Sequence, residues 1–233
     1  MKTAVIIPVY NHASRIKEVV RKSLQLDLPV FVIDDGSTDN TSDILAGLEG
    51  ITIIRHPVNL GKGAAIISGF TAAVQQHFDW ALTIDGDGQH QPGDAKTLLR
   101  AAAGNGRVIV VGARQGMAGA NVPWTSRFGR GFSNFWVWVS GGPRILDSQS
   151  GFRLYPLPEC LYLGVRAVRY QFEVEILVRA RGKGIATLEA PISVVYQDRG
   201  QRISHFRPWV DFWRNSATFS RLIFSRLFGV FRR

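Results

Sequence analysis

The sequence predicts an α/β fold in which helices flank a mostly parallel β-sheet. Through the first half of the chain, short β-branched runs alternate with segments of helical spacing, the pattern of βαβ units. Polar residues gather just after the strand-like runs, where open parallel sheets bind their ligands. No linker, repeat or low-complexity stretch interrupts the 233 residues, and an apolar content of 45% suffices for a packed core.

The candidate strands are Ala4 to Pro8, Val30 to Ile33, Ile51 to Ile54, Ala81 to Ile84 and Arg107 to Val111. Between them, helical spacing joins Ile16, Val19, Val20 and Leu24, then Ile44, Leu45 and Leu48, then Ala65, Ile66, Phe70 and Val74. Ser37 or Thr38 is expected to cap the second helix with Asp39 in its first turn, and Gly61 to Gly63 to form a flexible approach to the third. After Gly112 the alternation stops. A Gly- and Trp-rich stretch from Val122 to Gly142 precedes a loop, Asp147 to Arg153, and then a helical run from about Gln171 to Arg181. A last strand-like run, Ile185 to Tyr196, leads into the polar segment Gln197 to His205. The expected organisation is one domain over residues 1–205 and a C-terminal amphipathic helix over 206–233.

Bulk composition narrows the setting. Cys160 is the single cysteine, so no intramolecular disulfide forms and a reducing compartment is expected. The run Ala4 to Val9 is too short for a signal-peptide core or a membrane span, which predicts a cytoplasmic start. The formal net charge of +10 points to an anionic partner. Half of that excess lies in Phe206 to Arg233, where six arginines face one acid, Asp211.

The most informative local pattern is Asp85-Gly86-Asp87-Gly88-Gln89-His90, directly after the apolar run Trp80 to Ile84. At the end of a buried strand, both carboxylates would enter the ligand crevice. Hard cations such as Mg²⁺ and Mn²⁺ share oxygen ligands between protein carboxylates and substrate phosphates, so the pair suggests a metal-diphosphate site. Taken alone it reads equally as a solvated Asp/Gly turn.

Three further patterns accompany it: Pro8-Val9-Tyr10-Asn11, Asp34-Asp35-Gly36-Ser37-Thr38-Asp39 and Asp147-Ser148-Gln149-Ser150-Gly151-Phe152-Arg153. In this order the four resemble the family 2 glycosyltransferases of the GT-A fold, and within them the polyprenol-phosphate sugar synthases of the dolichol-phosphate mannose synthase group. The resemblance covers roughly residues 3 to 205.

That resemblance implies a Rossmann-like GT-A domain and a nucleotide-sugar site formed by Pro8, Tyr10, Ile33, Asp35, Asp85 and Gly86. Tyr10 would stack on a nucleobase, or simply pack, and Asp35 would accept hydrogen bonds from a ribose or base, with Asp34 fixing the turn. Asp85 and Asp87 become the ligands of one Mg²⁺ or Mn²⁺ that neutralises the leaving diphosphate. Gln89 lies near the donor sugar or acceptor phosphate, while His90 is a structural neighbour. Arg114 and Arg153 are candidate anchors for an acceptor phosphate, their bland alternative being surface arginines. In the resembled synthases a loop closes over the diphosphate; Arg199 and His205, after Tyr196, stand at the matching positions. Asp87, Gln89, Arg199 and His205 are thus the expected catalytic residues.

The chain departs from the family pattern at His12, where an acid usually follows the Tyr-Asn pair, and this leaves the choice of UDP or GDP open. It also lacks the later Glu-Asp motif and Gln-x-x-Arg-Trp box of many hydroxyl-glycosylating relatives. A phosphate acceptor is already ionised at neutral pH and needs no strong base. Glu173 and Glu175 are the remaining carboxylates, with Glu175 at a family position. The expected reaction is inverting transfer of a hexose from a UDP- or GDP-sugar to a polyprenyl-type lipid phosphate. The rival is transfer to a hydroxyl of a glycolipid, aryl lipid or polysaccharide precursor.

From Phe206 to Phe231, arginines recur every five to seven residues among Trp209, Phe212, Trp213, Phe219, Leu222, Ile223, Phe224, Leu227 and Phe228. A charge at the bilayer centre costs roughly 2.5 to 3.5 kcal/mol, so this helix is expected to lie on an anionic membrane surface rather than cross it. Its alternative is packing on the protein's own core or on a membrane-protein partner. The expected location is the cytoplasmic face of the membrane. Nucleic acid is the other partner that such charge suggests, but it gives no reason for the ordered carboxylate motifs and is not expected.

Overall fold

The computed structural model describes residues 1–115, 124–193 and 208–228, with side chains described except at 124–128, 208–215, 225 and 227. The elements run β1 (Thr3–Val9), α1 (Ala13–Leu24), β2 (Val30–Asp34), α2 (Thr41–Ala46), β3 (Ile51–Arg55), α3 (Lys62–Gln75) and β4 (Trp80–Thr83). They continue through α4 (Ala95–Ala102), β5 (Ile109–Arg114), α5 (Trp124–Val139), β6 (Arg153–Pro156), α6 (Phe172–Gly182), β7 (Thr187–Ile192) and α7 (Pro208–Leu227).

Seven strands form one sheet in the order β3-β2-β1-β4-β6-β5-β7. All neighbours are parallel except β6, which runs antiparallel between β4 and β5. Every residue of the interior strand β1 is buried, because helices cover both faces and each side chain meets a core. Successive side chains point to opposite faces, so Ala4 and Ile6 join a core with α3 and α6, through Ala65, Ile66, Phe70 and Phe172. Val5, Ile7 and Val9 join the other core, with α1, α2 and α4, through Ile16, Val19, Leu45 and Leu98.

The first four strands match the sequence expectation to within a residue at each end, and the fifth shifts forward to Ile109–Arg114. The second helix differs. It begins at Thr41 after Asn40, and Ser37 and Thr38 instead bond the β1–α1 turn. The Gly- and Trp-rich stretch contains the 16-residue helix α5.

Strand β6 positions the site. It is registered with β4 so that Arg153 pairs with Thr83 and Leu154 with Leu82. Because it enters the sheet from the opposite direction, the segment before it ends beside the C-terminal end of β4. Thr83 Oγ1 donates to the Gly151 carbonyl at 2.7 Å, which draws Ser150-Gly151-Phe152 next to Asp85.

Helix α7 packs Phe219 and Leu222 against Val137 of α5 and Val174 and Val178 of α6. Of the two placements open to this helix, packing on the chain's own core is the one observed for these residues. Phe224 and Phe228, one turn apart, stay exposed. Among the described residues, no helix is long and apolar enough to cross a membrane.

Candidate active site

The ends of β1 and β2 are tied together by short polar side chains. Asn11, at φ 54°, accepts from the Thr38 N–H at 2.7 Å and donates its own N–H to Ser37 Oγ at 3.0 Å. Asp39 accepts from the Ala13 N–H at the start of α1, at 3.2 Å, and from the Thr41 N–H at 3.0 Å. Burial pushes the Asp39 carboxyl up, but these donors outweigh it and hold it below the usual range. Asp34 accepts from the Ser37 N–H at 2.9 Å and Ser42 Oγ at 2.5 Å, and so fixes the turn.

Asp35 faces inward. Its carboxylate accepts from the Leu60 N–H at 2.9 Å and the Gly61 N–H at 2.8 Å, and lies 2.7 Å from His56 Nδ1. At 2% exposure it holds the β3–α3 connection. The Ile33 side chain lies in the core beneath α3. Pro8 is buried at the end of β1, Gly86 packs closely on Val9, and partly buried Tyr10 stands at the mouth of the crevice.

Asp85 and Asp87 follow β4. The Lys62 ammonium, at the first position of α3, lies 2.6 Å from Asp85 Oδ1 and 2.5 Å from Glu173 Oε1 of α6. Burial disfavours charge on both partners of that pair. For Lys62 the two carboxylates outweigh burial and raise its pKa. For Asp85, Lys62 followed by His90 and Arg114 outweighs burial and keeps the carboxyl low. Asp87 moves the other way: burial, then repulsion from Asp85, pushes its carboxyl up. Its Oδ1 accepts from the Gln89 N–H at 2.9 Å, so Gln89 belongs to the same turn. His90 Nε2 lies 3.9 Å from Asp85 Oδ2 and its ring packs on Phe152, while burial lowers its pKa and favours neutral imidazole.

Of the two arginines expected to hold an acceptor phosphate, only Arg114 borders the crevice. It forks onto Asp147, Nε to Oδ2 at 2.6 Å and Nη2 to Oδ1 at 2.8 Å. Arg153 is enclosed. Its side chain is 0% exposed and donates to the carbonyls of Ser150 at 2.6 Å, Ser148 at 2.8 Å and Glu173 at 2.7 Å. It shapes the loop before β6 from within, with no face left toward a ligand.

Glu175 is not disposed as a base either. Also 0% exposed, it accepts from the Arg166 and Ala167 N–H groups at 3.2 and 3.0 Å and is paired with Arg179 at 2.6 Å and Arg221 at 2.5 Å. Arg199 and His205 lie outside the described residues.

Sequence reasoning passed over Lys62. The signal was its place between Gly61 and Gly63, whose backbones approach another segment too closely for a side chain. A Cβ on Gly61 would overlap the Val168 carbonyl, and one on Gly63 would lie 2.7 Å from the Ala167 carbonyl.

The family model for Glycosyl transferase family 2 matches residues 4–156. The chain is 31% identical to a UDP-N-acetylglucosamine–dolichyl-phosphate N-acetylglucosaminyltransferase of Methanococcus voltae, over 83% of this chain and 85% of the relative. It is 27% identical to the polyprenol monophosphomannose synthase of Mycolicibacterium smegmatis, over 85% of this chain and 79% of that one. Its fold is shared by mannosyl-3-phosphoglycerate synthase from Rubrobacter xylanophilus, with TM-score 0.65 at 17% identity over 100% of this chain and 76% of that one. With its carboxylate pair at the end of β4 and the fold these comparisons share, the chain is a glycosyltransferase and belongs to glycosyl transferase family 2.

Proposed function

We propose that this glycosyltransferase moves a hexose, with inversion, from a UDP- or GDP-sugar to a polyprenyl-type lipid phosphate. The observation that carries the acceptor class is the closure of both glutamates on α6. Glu175 is enclosed by four donors, and Glu173 is held by Lys62 with Arg153 close by. A sugar hydroxyl loses a proton during attack and needs a free base; a phosphate oxygen does not. The relatives named for dolichyl-phosphate and polyprenol-phosphate products support the same acceptor.

Asp85 and Asp87 fit one Mg²⁺ or Mn²⁺. Both offer hard oxygen donors, and the repulsion from Asp85 that adds to burial in pushing Asp87 up is what a divalent cation relieves. Among the described residues no three His, Cys, Asp or Glu side chains form a ready metal cluster, so the donor's diphosphate would complete the coordination. When bound, the cation supplies neutralising charge for the departing nucleotide diphosphate. Gln89 orients the Asp87 turn, Tyr10 borders the nucleotide, Arg114 presents positive charge at the acceptor side, and Arg199 and His205 are the proposed stabilisers of the leaving diphosphate. The acceptor oxygen attacks the anomeric carbon opposite the leaving group, helped by orientation rather than by a base. Exposed Phe224 and Phe228 beside Arg226 support residence of α7 at an anionic membrane surface, on the cytoplasmic face.

The test is transfer of labelled sugar from a panel of UDP- and GDP-sugars, with Mn²⁺ or Mg²⁺, into organic-extractable product from polyprenyl phosphate. Label that disappears in EDTA is the expected result. Donor hydrolysis without transfer to polyprenyl phosphate would move the acceptor to a hydroxyl, and no turnover of any donor would overturn the reading.

A further inference from the structure

We propose that Lys62 is a positioning residue that serves as a built-in cation, fixing the Asp85 carboxylate between itself and the Gly151 backbone so that Asp85 meets the donor diphosphate in one orientation. The inference rests on the reading of Asp85 as a cation and diphosphate ligand.

Three features of the packing support it. Lys62 has little freedom of its own. The turn that carries it is pressed against the chain before α6 at Gly61 and Gly63, and a Cβ on Gly63 would also lie 2.7 Å from Phe172 Cβ. On the far side of Asp85, a Cβ on Gly151 would overlap the carboxylate itself, so backbone walls that side as closely as the ammonium holds Oδ1. Finally, Lys62 is one member of an alternating row. Asp85, Lys62, Glu173 and Arg153 follow one another at 2.6, 2.5 and 3.8 Å, joining the ends of β4, α3, α6 and β6. The row holds Asp85 aimed, with Asp87 two residues on in the same turn. Without the ammonium, the Asp85 and Glu173 carboxylates would face each other with no cation between them, and Asp85 would turn away.

A lysine that merely stabilises the fold would move melting temperature and leave turnover of the folded enzyme alone. A positioning lysine separates binding from rate. Mn²⁺ affinity is measured by electron paramagnetic resonance of the free ion, and kcat and KM with the sugar donor and polyprenyl phosphate. In K62M the site gains net negative charge, so Mn²⁺ is expected to bind as tightly as in wild type or up to about tenfold tighter, while kcat falls at least about 30-fold. K62R keeps the charge on a different head group and is expected to recover kcat to within about three- to tenfold of wild type. Folded K62M with kcat within about threefold of wild type overturns the proposal. Should K62M fail to fold, K62Q decides, because it removes the charge but keeps a polar head group, and a kcat there within about threefold of wild type overturns the proposal equally. D85N separates the underlying reading: Mn²⁺ binding unaffected by D85N sinks the role of Asp85 itself. Weakened binding in D85N beside normal turnover in K62M sinks only the role of Lys62.

Discussion

The two halves of the crevice restrain their carboxylates by different means. On the β1–β2 side, Asp34, Asp35 and Asp39 are held mainly by neutral donors, the N–H groups of Ser37, Leu60, Gly61, Thr41 and Ala13. On the β4–β6 side, Asp85, Asp147, Glu173 and Glu175 are each matched with a lysine or arginine. Backbone donors shape a loop at modest cost, about 1 kcal/mol per bond. Buried full charges tolerate no missing member, since the partner left behind is an unpaired ion. The first half of the site is therefore built to hold shape and the second to hold charge.

The largest effect should come from Asp87, which with Asp85 is the proposed cation ligand. D87A is expected to lower kcat by at least about 10³-fold with an unchanged circular dichroism spectrum. Substantial metal-dependent activity in D87A would place the charge elsewhere.

Removing a buried guanidinium tests the charge-holding half directly. R153M leaves the carbonyls of Ser148, Ser150 and Glu173 without their donor and is expected to cost about 3–5 kcal/mol in urea unfolding. D35N, its counterpart on the other side, keeps volume and one acceptor oxygen and should cost about 1–2 kcal/mol. Equal losses in the two variants would erase the contrast.

E175Q comes next, at about 2–3 kcal/mol of stability, through weakened pairing with Arg179 and Arg221. The kcat of the folded variant is expected to stay within about threefold of wild type. A rate loss of about 100-fold with stability intact would instead make Glu175 a base and restore the hydroxyl acceptor.

The smallest effect concerns pH. Asp87 is raised in the folded state, so its folded form binds the proton more tightly than the unfolded chain does, and stability is lost as pH rises through the folded pKa. Without divalent cation, D87N should therefore unfold at higher urea than wild type at neutral pH. The gap should close as pH falls below the ordinary carboxylate range. Asp85 has the opposite sign: its contribution is present above the unfolded pKa and lost as pH falls through the lowered one.

The same division explains what could be read in the sequence. Strands β1 to β4 and helices α1 and α3 are local patterns, and the apolar spacing placed them. Strand β6 escaped because it has four residues, opens on a charged Arg153 and closes on Pro156; only its neighbours β4 and β5 make it a strand. Helix α5 was hidden by Gly129 and Gly131, which lower helix propensity without preventing the packing that Val137 provides. A motif reports position and not which way a side chain turns, so the bonds that Asp35 and Arg153 make inside the fold were not legible in the sequence. The meeting of Lys62, Asp85 and Glu173 is set by tertiary packing, and its one local signature is the pair Gly61 and Gly63 around the lysine.

The Arg221–Glu175 pair gives the C-terminal helix a consequence beyond its amphipathic composition. A chain shortened at residue 205 would not be a smaller version of the same enzyme. It would uncover Val137, Val174 and Val178, which Phe219 and Leu222 now cover, and withdraw one of two guanidiniums from a carboxylate sealed inside the protein. That carboxylate also anchors the Arg166 and Ala167 backbone, the same segment on which Gly63 rests. The last helix is thus a keystone for the first turn of α3, and its removal would register first as a loosened Lys62.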